Sequence, residues 1–378
     1  MIGAKGAGGR PRDRGFRLVR LLCATTVLLS AAAYAQSHGF EVGLCRSNTV
    51  WEPKAKQAEI IAGIRATGLH WFRDAFAEGP ERTQDFVDLV RMAKQAGLKV
   101  LVVVIQDASD YDGAAAKADN AGWLFKRRCG WESGSLKLSQ INTTKFKSRL
   151  RGLLSSLKAA NLTVDAFEIG NEVDWVCFNG DVPFGRWATA HDVDVAAHGY
   201  ARFLEAAAEV IREPGFSPDT RIITFGIAHA DTGWDLPPHH LPNPAAFVAS
   251  LRNLDGVNYL DNARYHVDGY GLHIYPKPSD IKGSVDATLK RDVAALGTDL
   301  PFWITEFGWR KGQFPTRSGE TRAQAIGDFF VALAAHRQDK FGPAFYYDYD
   351  SPEWGLLDDH GKLLPEAAAL ARAAGVGE

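Results

Sequence analysis

The chain has 378 residues, 46% hydrophobic and 23% charged, with a formal net charge of −2. This is a globular composition with apolar material for a large core, and the length allows one large α/β domain or two small ones. Nothing in the charge balance suggests a nucleic-acid or anionic-membrane partner.

The first 35 residues stand apart. Arg10, Arg12, Arg14, Arg17 and Arg20 form a basic region, and "LLCATTVLLSAAA" follows as an apolar run too short to span a bilayer. "AYA", Ala33 to Ala35, then offers the small residues of a cleavage site. Residues 1–35 therefore read as a secretory signal peptide, with an uncleaved anchor as the alternative. Its removal leaves 37 Lys/Arg against 44 Asp/Glu, a formal charge of −7 on residues 36–378. Three cysteines remain, Cys45, Cys129 and Cys177, so at least one is unpaired within the chain. No later stretch is apolar enough for a membrane span, so a secreted protein is expected, extracellular or periplasmic.

Beyond residue 35 a rhythm sets in. Short apolar or β-branched runs at 40–44, 71–76, 99–106 and 164–172 read as strands. They continue at 221–228, 269–276, 301–308 and 343–350. Between them, helical periodicity covers about 53–67, 82–96, 143–160, 192–213, 242–253, 280–297 and 319–338, with a last helix at 364–374. Thr83, Asn142 and Ser279 are plausible caps. Strand–helix alternation predicts a parallel sheet, and eight units predict a single α/β domain over 36–378, a (β/α)8 TIM barrel. The alternative, a doubly wound open sheet, would carry a Gly-rich phosphate loop after its first strand, and none is present.

In such a barrel the site forms at the C-terminal strand ends. Strand 2 ends in Arg73 and Asp74, strand 3 in Gln106 and Asp107, strand 4 in Asn171 and Glu172. Strand 6 ends in His273 and Tyr275, strand 7 in Glu306, and strand 8 in Tyr347, Asp348 and Tyr349, with Trp354 soon after. Glu172 and Glu306 lie across the barrel mouth, each behind an apolar run. Paired carboxylates across a cleft are what glycosidic-bond hydrolysis needs, one protonated for the leaving oxygen and one ionised to attack the anomeric carbon.

"FEIGNE" and "PFWITEFGW" resemble the two signatures of the clan A retaining glycoside hydrolases, which include cellulases, mannanases and xylosidases. "GLHIYP" resembles the clan's strand 6 His-x-Tyr, and Arg73 its strand 2 arginine. The resemblance covers nearly all of 36–378. It implies a retaining β-glycosidase with Glu172 as acid/base and Glu306 as nucleophile, no cofactor and a carbohydrate substrate. The long loops after strands 3, 4 and 5 favour endo cleavage of a polysaccharide, though they would equally close an exo-acting pocket. A transglycosylase on the same pair and an inactive carbohydrate-binding barrel are the alternatives.

Arg73 and Tyr275 are placed to donate hydrogen bonds to Glu306 and stabilise its charge. Asn171 is placed to hold a sugar 2-hydroxyl. Glu168, four residues before Glu172, falls on the same strand face but deeper, where a buried hydrogen-bonding role is expected. His273 is expected to bond sugar or a carboxylate. His229, His239 and His240 have no metal-ligand spacing, so no catalytic metal is expected. Of the tryptophans in segments after strands (Trp131, Trp175, Trp234, Trp309 and Trp354), three are expected to stack on sugar: Trp354, Trp309 and Trp175. Trp71 and Trp303 read as core. Cys129 and Cys177 lie on neighbouring mouth loops and are expected to form a disulfide, leaving Cys45 a buried thiol.

Overall fold

The structure is a computed structural model, and it describes residues 39–113, 122–130, 134–228, 244–260, 267–314, 321–336 and 339–376. The expected signal peptide, Trp131, Trp234, His229, His239 and His240 lie outside the described residues.

Eight parallel strands form the sheet: β1 (Val42–Cys45), β2 (Trp71–Phe76), β3 (Lys99–Val104), β4 (Ala166–Asn171), β5 (Arg221–Gly226), β6 (Tyr270–Ile274), β7 (Phe302–Phe307) and β8 (Phe341–Tyr346). Their order is β5-β4-β3-β2-β1-β8-β7-β6. The seam between β5 and β6 is bridged by Thr224 N donating to Gly269 O at 3.1 Å and Ile227 N to Gly271 O at 3.2 Å. The molecule is therefore a single (β/α)8 barrel.

The helices follow the expected rhythm: α1 (Lys54–Ala66), α2 (Thr83–Gln95), α3 (Trp123–Cys129), α4 (Thr143–Ala159), α5 (Ala190–Ile211), α6 (Pro244–Arg252), α7 (Ile281–Leu296), α8 (Arg322–Ala335) and α9 (Pro365–Ala373). Only α3 has no counterpart in the periodicity reading, being seven residues long within the long β3–α4 segment. Asn142 caps α4, accepting from Thr144 N and Lys145 N. Thr83 is already inside α2, whose N-cap is Arg82, and Asp280 rather than Ser279 caps α7. Among the described residues no helix is long and apolar enough to cross a membrane.

Side-chain alternation makes two cores. The larger lies between the strands and the helices. The smaller fills the barrel axis with Cys45, Trp71, Leu101, Ala166, Ile223, Trp303 and Phe345. Trp71 and Trp303 meet there edge to face, centroids 5.4 Å apart. Two residues on from Trp71 and Ala166 come Arg73 and Glu168. Period two thus seats a charged layer on the apolar plug, on the side where the strands end.

Candidate active site

Arg73 organises this layer. Its Nε donates to Glu168 Oε2 at 2.7 Å, Nη1 to Glu306 Oε1 at 2.8 Å and Nη2 to Asn171 Oδ1 at 3.0 Å. One planar cation thereby sets the positions of side chains from β4 and β7. Glu168 is fully buried and also accepts from Gly226 N at 2.9 Å. Burial alone would raise Glu168, but the Arg73 charge and hydrogen bond, with His273, hold it below the usual carboxylate range. A buried carboxylate with a fixed cation and a backbone donor is a structural anchor.

Glu306 accepts from Arg73 on Oε1 and from the Tyr275 hydroxyl on Oε2. The Tyr275 phenol is pushed well up by burial and by the Glu306 charge, so it stays a donor. The β6–β7 and β7–β8 pairings shift register around Glu306, next to His273 and between Ile304 and Phe307. Trp303 and Thr305 already face the axis, so strict alternation would turn Glu306 outward; the irregularity brings it back in.

Glu172 stands on a different kind of support. Gly170 and Glu172 both have positive φ, 85° and 43°. A Cβ at Gly170 would lie 2.6 Å from Val173 Cγ1, so glycine is required there. The carboxylate meets His273 Nδ1 at 2.8 Å. Burial is the largest influence on Glu172 and raises it; His273 opposes, and the Glu306 charge adds to the rise. His273 is fully buried, which would depress it. The Glu306 charge and the carboxylates of Glu168 and Glu172 outweigh this and push it up to about 10. Its Nδ1 is 3.5 Å from Glu306 Oε2 and its Nε2 3.8 Å from Glu168 Oε1. Arg73 and His273 therefore face three carboxylates, Glu168, Glu172 and Glu306. Glu168 is held low by this pairing, whereas burial raises Glu172.

One oxygen each of Glu172 and Glu306 and one ring nitrogen of His273 lie within 4.8 Å of one another. A metal ion would find three ligand atoms here. It would also meet the Arg73 cation on Glu306 Oε1 and the Tyr275 hydroxyl on Oε2, a setting better suited to proton exchange.

The aromatic expectations divide. Trp354 is half-buried and packs edge-on against Tyr275 at 5.4 Å and Tyr347 at 5.7 Å, which puts it on the wall beside Glu306. Trp175 is half-buried in the turn after β4. Trp309 is corrected: it is 1% exposed, packs against Phe314 and Phe329, and donates its indole N–H to Pro276 O at 2.7 Å. A ring closed on all sides offers no face to a sugar. Gln106, Asp107 and Asp348 also serve the scaffold, bonding Phe178 O, Ser109 N and Ser351 N.

Cys129 and Cys177 are bridged, Cα atoms 5.3 Å apart, joining the end of α3 to the loop after β4. Cys45 is a free, buried thiol 3.6 Å from Arg73 Nη1. Asp174, a polar residue of the strand 4 end to which the sequence assigns no role, is fully buried two residues after Glu172. It accepts from Ala228 N at 3.1 Å and is pushed up to about 8 by burial. The apolar neighbours Val173, Trp175 and Val176 around it were the available signal.

No family model matches the sequence, and no curated protein matches it. Solved structures do. An endo-β-1,4-mannanase from Thermotoga petrophila is 12% identical, covering 90% of this chain and 77% of its own, with a TM-score of 0.53. A glycoside hydrolase family 5 enzyme from Prevotella bryantii B14, in complex with a xyloglucan tetradecasaccharide, is 15% identical over 90% and 98%, TM-score 0.53. A β-glucosidase from Thermotoga maritima is 12% identical over 90% and 99%, TM-score 0.54. At these identities the likeness is one of fold.

Proposed function

We propose that the protein is a retaining β-glycoside hydrolase, secreted by its N-terminal signal, that cleaves a β-linked oligo- or polysaccharide with Glu172 as acid/base and Glu306 as nucleophile. The observation that carries the reading is the carboxylate pair from β4 and β7: one oxygen of each lies within 4.8 Å of the other, with Arg73 and Tyr275 on Glu306 and His273 on Glu172. Inverting enzymes separate the two carboxyl groups by roughly 6.5–9.5 Å to admit water, whereas retaining ones hold them at about 5–5.5 Å. The fold relatives support the substrate class, since their names span a mannanase, a xyloglucan complex and a β-glucosidase.

In the first step Glu306 attacks the anomeric carbon. The bond to the leaving oxygen breaks, and that oxygen takes the proton of Glu172. Arg73 and Tyr275 aim Glu306 at the carbon. Asn171 presents Oδ1 to Arg73, which leaves its amide N–H groups for the sugar 2-hydroxyl. Spending the Glu306 charge removes the anion that raises Glu172, so Glu172 stays ionised after giving up its proton and is free to take one from water. In the second step it takes a proton from water, whose oxygen displaces Glu306 from the same face of the ring. Trp354 and Trp175 are the sugar platforms nearest the pair.

The test is hydrolysis of mannan, galactan, xyloglucan, xylan and aryl β-glycosides by wild type, Glu172→Gln and Glu306→Gln. Cleavage that each variant reduces by several orders of magnitude is expected. Cleavage that survives either change refutes the pair, and no cleavage of any substrate favours a binding barrel. Sugar products longer than the substrate would mark transglycosylation.

A further inference from the structure

Four large hydrophobic side chains are strongly exposed among the described residues: Trp51 at 58%, Trp123 at 68%, Trp187 at 65% and Val331 at 44%. A single exposed apolar residue needs no explanation. Here three of the four are indoles, and topology places all three on one face. Trp51 ends the turn after β1, Trp123 opens α3 after β3, and Trp187 lies two residues before Thr189, the N-cap of α5, after β4. Each segment leaves the C-terminal end of its strand, so each belongs to the mouth that holds Glu172 and Glu306. Strands β4, β3, β2 and β1 are neighbours in the sheet, so the three indoles occupy one half of that mouth.

Trp51 is the best defined. Its turn is tied down on every side: Thr49 N donates to Asp74 Oδ2 at 3.1 Å, and Gln57 Nε2 donates to Val50 O and Glu52 O. Arg46 joins Glu52 to Asp350, at 2.6 and 2.8 Å. The Arg82 guanidinium lies 3.8 Å over one face of the ring. A ring stacked on one side, carried by a rigid turn and more than half exposed, presents its other side to solvent at little entropic cost. Asp74, which pins this turn, is the neighbour of Arg73 in β2.

We propose that Trp51, Trp123 and Trp187 form an aromatic rail for the distal part of a β-linked glycan chain, running from the catalytic pair along the β4-to-β1 side of the mouth. The inference rests on the glycosidase reading and deepens it, because the substrate becomes an extended polysaccharide cut internally. Indoles suit this ligand: pyranose CH faces stack on them without a demand for charge. A protein partner is the other occupant of an exposed indole cluster. It is disfavoured because these rings stand on three separate segments, after β1, β3 and β4.

The experiment compares kcat/KM on the best-cut polysaccharide of the panel with kcat/KM on an aryl β-glycoside of the same sugar, for wild type, Trp51→Ala, Trp123→Ala, Trp187→Ala and the triple variant. Val331→Ala, on α8, is the control. Each single change should lower the polymer value by roughly two- to twelve-fold more than the aryl value, as stacking energies imply. The triple variant should widen that gap to at least about tenfold. Glu306→Gln should also be retarded in native gels containing the polysaccharide, and the triple change in that background should abolish the retardation. Equal losses on both substrates, or no loss on either, overturn the rail. A wild type that cuts the aryl glycoside but no polymer overturns it too while sparing the catalytic pair. A wild type that cuts neither overturns the glycosidase reading and the rail with it.

Discussion

Gly226, the last residue of β5, sits against the imidazole of His273. A Cβ there would lie 2.0 Å from His273 Nε2, 2.2 Å from Cδ2 and 2.8 Å from Thr305 Oγ1. Ordinary contact between heavy atoms is about 3.5–4.0 Å, so in Gly226→Ala the ring must retreat by on the order of 1.5 Å. It can retreat only away from β5, across the positions where Nδ1 meets Glu172 and approaches Glu306. Overpacking of this kind costs about 1–3 kcal/mol of stability, and a 1 Å misplacement at a catalytic centre costs about 100-fold in rate. The direction of the pH effect follows as well. His273 acts to lower Glu172, so weakening their contact lets Glu172 rise further. The alkaline limb of kcat/KM, which reports loss of the Glu172 proton, should move to higher pH as the maximum falls. The assay is kcat/KM on an aryl β-glycoside from pH 4 to 9, beside thermal unfolding. His273→Asn, which removes the cation without the clash, should shift the limb the same way. A folded Gly226→Ala protein with wild-type rate and an unmoved limb would refute the role given to His273.

Three further outcomes follow. Arg73→Lys keeps the charge but loses the three-way fork, so Glu168 Oε2, Glu306 Oε1 and Asn171 Oδ1 cannot all keep their donors; urea unfolding should show a loss of about 1–3 kcal/mol, with kcat/KM falling at least about 100-fold. Asp174, pushed up to about 8, contributes stability that is fully present below its ordinary value near 4 and is lost as pH rises through 8; Asp174→Asn should flatten the decline in unfolding free energy between pH 5 and 8.5, and an unchanged slope would contradict this. Reducing the Cys129–Cys177 bridge opens a loop with a sequence separation of 48; by chain entropy this should lower the unfolding free energy by about 4 kcal/mol, read by urea titration with and without reductant.

The barrel was legible because each strand is a short apolar run ended by polar residues and each helix keeps its period, and Asn171, Glu172, His273, Tyr275 and Glu306 stood out as polar groups that such runs would not bury for packing. Glu168 was legible by parity, since period two carried it to the axis below Glu172. Parity fails for Glu306, whose inward turn depends on a register irregularity with β6 and β8 that leaves no mark in the sequence. Trp309 shows the opposite limit. It follows a strand end as Trp354 does, but the packing of α8 and the Pro276 carbonyl, both distant in sequence, decide that it is core. The rail tryptophans were illegible for the same reason, because exposure is a property of the assembled mouth. Trp51 and Trp187 differ from buried tryptophans only in what the rest of the chain leaves uncovered.

The central claim is the division of roles between Glu172 and Glu306, and azide rescue tests it most directly. With an aryl β-glycoside bearing a good leaving group, Glu172→Ala should still form the glycosyl-enzyme. Azide should then displace Glu306 and restore turnover, giving the β-glycosyl azide by two inversions. Glu306→Ala should be rescued only by direct attack of azide on the substrate, giving the α-glycosyl azide. Proton NMR of the products distinguishes the two anomers. A β-azide from Glu306→Ala and an α-azide from Glu172→Ala would exchange the assigned roles, and wild-type turnover by either variant without azide would show that the residue is no part of the pair.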